Sequence, residues 1–203
     1  MTARKLLALA IGGVFLGAAG LAVFLIILSS KLPQLVTVED YKPLVVSEVF
    51  DTNNVKVGEF FREKRRVVSF SEIPTDLVNA FIAAEDASFY NHGGINYVAI
   101  LRALIANIKA GRKVQGGSTI TQQVARSLLL TPEKTYIRKI REVLLAYRME
   151  ANLSKEDIIY LYLNQIYFGN LAYGIEAAAQ TYFNKSALEL STAECALLAG
   201  IIQ

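Results

Sequence analysis

The chain has 203 residues, of which 53% are hydrophobic, and a formal net charge of +3. That apolar share exceeds what an ordinary soluble domain uses, so part of it belongs in a membrane, and the modest charge argues against a nucleic-acid binder. A lone cysteine, Cys195, excludes an intrachain disulfide and reads as a buried structural thiol; with a lone histidine, His92, it also excludes a Cys/His zinc site.

Residues 6–28 carry no charge. At about 1.5 Å per residue they are long enough to cross a hydrocarbon layer of about 30 Å, which predicts one transmembrane helix. Arg4 and Lys5 precede it, so the positive-inside rule keeps the N-terminus in the cytoplasm and sends the chain after Lys31 across the membrane. A cleaved signal peptide competes, because Ala18, Ala19, Gly20 and Ala22 offer small residues near a cut. An h-region of about 7 to 15 residues would be shorter than this stretch, which favours the uncleaved anchor.

Residues 31–66 form an extended linker punctuated by Pro33 and Pro43. Within it, residues 45–50 and 55–61 flank Asp51-Thr52-Asn53-Asn54, predicting a β-hairpin. Arg62, Lys64, Arg65 and Arg66 then read as a solvated strand end, with anionic lipid as the alternative contact.

From Pro74 onward the apolar spacing turns helical. Pro74 suits a first turn leading into Leu77, Val78, Phe81 and Ile82. Asn96 caps a helix with Val98, Leu101, Leu104, Ile105 and Ile108 on one side, stopping at Gly111. Ser118 or Thr119 opens another that runs to Pro132, and a fourth covers residues 135–152 with Ile137, Ile140, Leu144 and Tyr147 as its buried stripe. Capping-box spacings at Ser154/Asp157 and Ser191/Glu194 mark two more starts, with a helix over residues 171–183 between them. The fold is therefore mainly α, and the sequence reads as truncated inside a larger protein.

Four stretches could carry chemistry. Glu85 and Asp86 end an apolar helix and run into a turn with Gly93 and Gly94; such a carboxylate can face a cleft as a proton acceptor, although surface acidic pairs are common. Gly116 and Gly117, followed by Ser118, Thr119, Gln122 and Gln123 at a helix start, expose backbone N–H groups where the helix dipole favours an anion or sugar hydroxyls. The absence of Gly-Lys-Ser/Thr there disfavours a nucleotide P-loop. On the fourth helix, Arg138, Arg141 and Glu142 share an arc of roughly 100°, with Lys139 beside them and Arg126 and Lys134 upstream. That is either a surface Arg138/Glu142 pair or a pyrophosphate cradle. Tyr162 to Gly169, with Tyr173 and Gly174, could line a sugar site but equally suits a core.

Taken in order, these segments resemble the peptidoglycan glycosyltransferase domain (glycosyltransferase family 51) of class A penicillin-binding proteins over residues 67–203; residues 1–30 and the hairpin resemble the family's N-terminal lead-in. The resemblance implies a lysozyme-like, two-lobed fold with one lobe dipping into the membrane. It makes Glu85 the general base on the acceptor sugar's 4-hydroxyl. It makes Glu142 an assistant at the pyrophosphate, acting through a divalent cation (Mg²⁺ or Mn²⁺) held with the substrate or by orienting its basic neighbours. Arg126, Lys134, Arg138, Lys139 and Arg141 become basic substrate contacts, with Asp86, Ser118, Thr119, Gln122 and Gln123 shaping the cleft. The implied partners are lipid II, the growing glycan chain, cytoplasmic membrane lipid and other cell-wall synthesis proteins, on the outer face of a bacterial cytoplasmic membrane. A lysozyme-like hydrolase or lytic transglycosylase would need Glu85 as an acid but not the basic cluster, and a membrane-tethered scaffold would need neither.

Overall fold

The computed structural model describes residues 3–133 and 135–202, with side chains from residue 11 onward, so Lys134 lies outside the described residues. The architecture is mainly helical, as expected. Helix α1 (Ala3–Ser30) contains Ile11–Ser30, the one helix among the described residues long and apolar enough to cross a membrane. Only its foot is covered: Leu28 is buried, while Phe15, Leu16 and Ile26 are exposed.

After α1 the chain turns onto the domain, where Leu32, Leu35, Val36 and Val38 pack against the core. The hairpin forms as strands β1 (Ser47–Phe50) and β2 (Lys56–Phe60), antiparallel with Val49 opposite Gly58. Its turn is held by Asp51, whose carboxylate accepts from the amides of Asn53 and Val55, both at 2.8 Å. Asn54 takes the left-handed conformation that Asn tolerates better than most residues.

Strand β3 (Lys64–Arg65) pairs in parallel with β4 (Ala172–Tyr173). Here the expectation of a solvated basic end fails for Arg65, which is 1% exposed. Its guanidinium donates to the Tyr41 hydroxyl at 3.1 Å and to Glu63 at 2.7 Å, and contacts the Gln165 side chain. A buried cation needs such paired acceptors, and these tie the lead-in to the end of a core helix. Burial pushes the Tyr41 phenol up to about 12, against the opposing influence of Arg65.

The helical body comprises α2 (Thr75–Glu85), α3 (Tyr97–Ala110), α4 (Ile120–Leu129), α5 (Tyr136–Asn152), α6 (Lys155–Gln165), α7 (Ile175–Phe183) and α8 (Thr192–Ile201). At the centre lies α6, which buries Ile158, Ile159, Leu161, Tyr162, Leu163 and Asn164 on successive sides, as an apolar helix with little polar face must. Its Asn164 pairs with Val68 through both amide atoms, accepting at 3.0 Å and donating at 3.2 Å. Most starts expected from the sequence are present: Asn96 accepts from Ala99, Thr119 from Gln122, Thr135 from Arg138, Ser154 from Asp157 and Ser191 from Glu194. Cys195 is buried, as expected, and burial raises its thiol pKa.

Two further expectations are corrected. The buried line of α5 is Glu142, Leu145, Ala146 and Met149, while Ile137 and Tyr147 are exposed. The side of a helix that is buried is set by its neighbours, here α4 and α6, and the apolar stripe was not that side. Helix α7 starts at Ile175, not residue 171, because Asn170, Leu171 and Gly174 all have positive φ and fold the chain back through β4.

Helix α3 stands apart. It buries only Ala103, and Val98, Leu101, Leu104 and Ile108 are each more than half exposed.

Candidate active site

Glu85 is the last residue of α2, one turn after Phe81 and on the same side of the helix. Phe81 is fully buried, so this side is anchored in the core while the helix end reaches the surface. The half-buried Glu85 carboxylate accepts at Oε2 from the Gln123 side-chain amide at 2.7 Å. One oxygen is therefore oriented by α4.

Asp86 turns the other way. Its Oδ2 is 2.9 Å from His92 Nε2 and accepts from the Ile120 amide at 3.2 Å. The second contact satisfies a free N–H in the first turn of α4, where a carboxylate also meets the positive end of the helix dipole. Because His92 Nδ1 accepts from the Gly94 amide at 3.2 Å, the ring proton sits on Nε2 and points at Asp86. The Asp86 side chain is 2% exposed, so this residue, expected as a substrate contact, braces the two segments that frame the cleft.

Thr119 and Gln122 are likewise internal, each 1% exposed. The Thr119 hydroxyl donates to the Gly94 carbonyl at 2.6 Å, and Gln122 Oε1 accepts from the Thr119 amide at 3.0 Å. They fix the start of α4 from within. Gly94 permits this closeness: a Cβ there, at φ +94, would meet the Ala146 backbone at 3.0 Å. Gly117 lies similarly against α3, where a Cβ would sit 2.9 Å from Ile100 Cα.

On α5, Glu142 is fully buried, held by Arg138 at 3.3 Å and by Lys139. Lys139 also donates to the Ser118 hydroxyl at 3.0 Å, joining the basic helix to the glycine loop. The expected bracket of two guanidiniums around Glu142 is therefore one guanidinium and one ammonium. Arg141, three residues from Arg138, is half-buried with its Nε enclosed and unpaired among the described residues.

Three adjoining cavities share Arg126. The first, about 850 Å³, holds Glu85, Ser118, Gln123, Arg102 and Lys113; the second, about 650 Å³, holds Gln123, Tyr162, Gln165, Tyr167 and Tyr173; the third, about 980 Å³, holds Lys113, Thr135, Arg138 and Lys139. Of the expected site residues, the structure thus brings Glu85, Ser118, Gln123, Arg126, Arg138 and Lys139 to cavity walls. Asp86 and Thr119, although buried, also line the first cavity. Arg102 and Lys113 are additional cations that their positions in sequence did not single out as cleft residues. Among the described residues, no group of three or more His, Cys, Asp or Glu is placed to hold a metal. The arrangement offers one oriented carboxylate beside a wall of positive charge, suited to taking a proton while stabilising a departing anion.

The family model described as "Transglycosylase" matches residues 53–203. Penicillin-binding protein 1A of Aquifex aeolicus is 52% identical over 182 residues, covering 90% of this chain and 25% of that protein. Penicillin-binding protein 1A of Neisseria meningitidis serogroup B is 41% identical over 202 residues, covering 98% of this chain and 25% of that protein. The chain spans about a quarter of the length of the curated relatives it matches. The family match runs from the hairpin turn through α8 and takes in every cavity wall described above: the chain belongs to the transglycosylase family.

Proposed function

We propose that this chain is a peptidoglycan glycosyltransferase that polymerises lipid II into β-1,4-linked glycan on the outer face of a bacterial cytoplasmic membrane. The observation that carries the reading is the Glu85–Gln123 hydrogen bond in a cleft whose continuation is lined by Arg126, Arg138 and Lys139. Glu85 takes the proton from the acceptor's 4-hydroxyl, and that oxygen attacks C1 of the donor glycan. The bond from C1 to the lipid pyrophosphate breaks with inversion, and undecaprenyl pyrophosphate leaves. The leaving group already bears negative charge, so it needs electrostatic stabilisation more than a proton donor, and the cations supply that.

Glu142 fits the role of orienting these cations, since it is buried beneath Arg138 and Lys139. The same burial does not fit a metal ligand: both carboxylate oxygens face protein cations. A divalent cation travelling with the substrate's phosphates thus gains no ligand from Glu142, and no step here depends on one.

The exposed apolar side of α3 and the length of α1 support a membrane-associated enzyme, with α1 as a single-pass anchor and its N-terminus inside. The rival hydrolytic reading leaves the cation wall without a purpose. Incubating the detergent-solubilised chain with lipid II and separating the products tests the proposal. Long glycan chains support it; cleavage of preformed glycan without consumption of lipid II rejects it.

A further inference from the structure

Tyr162 carries a hydroxyl that no group among the described residues uses. It sits on α6 with 2% of its surface exposed, and its hydroxyl is enclosed with no hydrogen-bond partner among the described residues. The ring is held edge-on against Phe81, with centroids 6.1 Å apart at 72°, and Phe81 is held the same way by Phe168, at 5.9 Å and 83°. Phe81 precedes Glu85 by one turn of α2, so the stack that fixes the Tyr162 ring also anchors the helix presenting the carboxylate.

Tyr162 lines the second cavity together with Gln123 and Arg126, the residues flanking Glu85 in the first. Burial raises its pKa and the Glu85 charge raises it further, while Arg126 opposes; the phenol stays a proton donor at every working pH. A phenylalanine here would make the same ring contacts without the penalty of an enclosed, unpaired hydroxyl. Retaining the oxygen makes physical sense where a ligand supplies the missing partner.

We propose that the Tyr162 hydroxyl is a substrate contact, donating a hydrogen bond to an oxygen of a sugar unit seated in the cavity between α4, α6 and the 166–173 segment. The ligand class follows from the cavity's other walls. Tyr167 and Tyr173 present paired rings, centroids 4.6 Å apart, beside the side-chain amides of Gln123 and Gln165. Flat apolar surfaces with interspersed amides match the mixed C–H and hydroxyl surface of a pyranose. The inference rests on the proposed glycosyltransferase function and adds a contact to it.

The test compares the full 203-residue chain with its Tyr162→Phe variant in detergent, measuring thermal unfolding, kcat and KM on lipid II, and the acid limb of the pH–rate profile. The expected result is an unchanged or higher Tm, a fall of at least tenfold in kcat/KM, and an acid limb left in place. Wild-type kcat/KM in the variant overturns the contact. So does a loss accompanied by a lower Tm, which would make the hydroxyl structural, or by a displaced acid limb, which would make it act through Glu85. Absence of polymerisation by the unsubstituted chain would remove the proposed function itself, and the contact with it.

Discussion

Gln123 on α4 donates to Oε2 of Glu85 on α2 at 2.7 Å, and the same two helices are tied a second time by the Ile120 amide, which donates to Asp86, the residue after Glu85. The Glu85 carboxylate is thus oriented by a neighbour in the first turns of a capped helix. Gln123→Ala removes the orienting donor while leaving the cap, Thr119 with Gln122, intact. Because a misplacement near 1 Å costs about 100-fold, kcat on lipid II is expected to fall by about that factor with KM little changed. Steady-state kinetics checks this; a rise in KM at constant kcat would instead place Gln123 in ground-state binding.

Glu142 is the charge beneath the basic wall. Glu142→Ala leaves Arg138 and Lys139 facing each other without their counter-ion. Removing one member of a buried pair costs about 3–5 kcal/mol, but the Lys139 side chain is 45% exposed and can rehydrate, so the expected loss is about 2–3 kcal/mol. Urea unfolding measures it; an unchanged midpoint would mean that the carboxylate is not structurally engaged.

Glu194 caps α8 and pairs with Lys185. The Lys185 contact, with the Ser191 amide and hydroxyl, lowers its pKa from 4.5 to about 2. A depressed carboxylate contributes stability that is fully present above its unfolded value and is lost as pH falls through the folded one. Unfolding followed from pH 4.5 down to about 2 should show this loss, and Glu194→Gln should lack that part of the acid dependence. Identical acid profiles for the two proteins would contradict the assignment.

The exposed side of α3 makes a separate claim. Leu101 and Ile108 are 58% and 71% exposed on a helix that buries only Ala103. Replacing both with Glu should leave polymerisation in detergent unchanged and reduce it in lipid vesicles, where the helix has a bilayer to meet. Equal rates in vesicles would mean that α3 does not contact lipid.

Local signals in the sequence were read well where local chemistry decides structure. The caps at Asn96, Ser154 and Ser191 are short-range contacts between a side chain and the amide three residues on, and each is where the sequence placed it; Thr119 takes the cap that Ser118 also offered, and Thr135 caps the helix expected from that residue. What depends on distant neighbours was harder to see. Arg65 looked like a surface charge because its acceptors, Tyr41 and Gln165, lie far off in the chain. The covered side of α5 was misread because an apolar stripe does not reveal which neighbour will cover it. In the cleft, Glu85, Arg126, Arg138 and Lys139 were legible from residue type and order, whereas Arg102 and Lys113 were not. The inward turn of Asp86 and the unused hydroxyl of Tyr162 were not, since both follow from helix packing.

The central claim is that Glu85 is the base of a polymerising site, and the most direct measurement is the rate of glycan synthesis from lipid II by Glu85→Gln. The variant keeps the shape of the side chain and should unfold at the wild-type temperature. Loss of a general base costs about 10²- to 10⁴-fold, so chain formation should fall by that factor across the pH range. Wild-type chain synthesis by a folded Glu85→Gln protein would contradict the account.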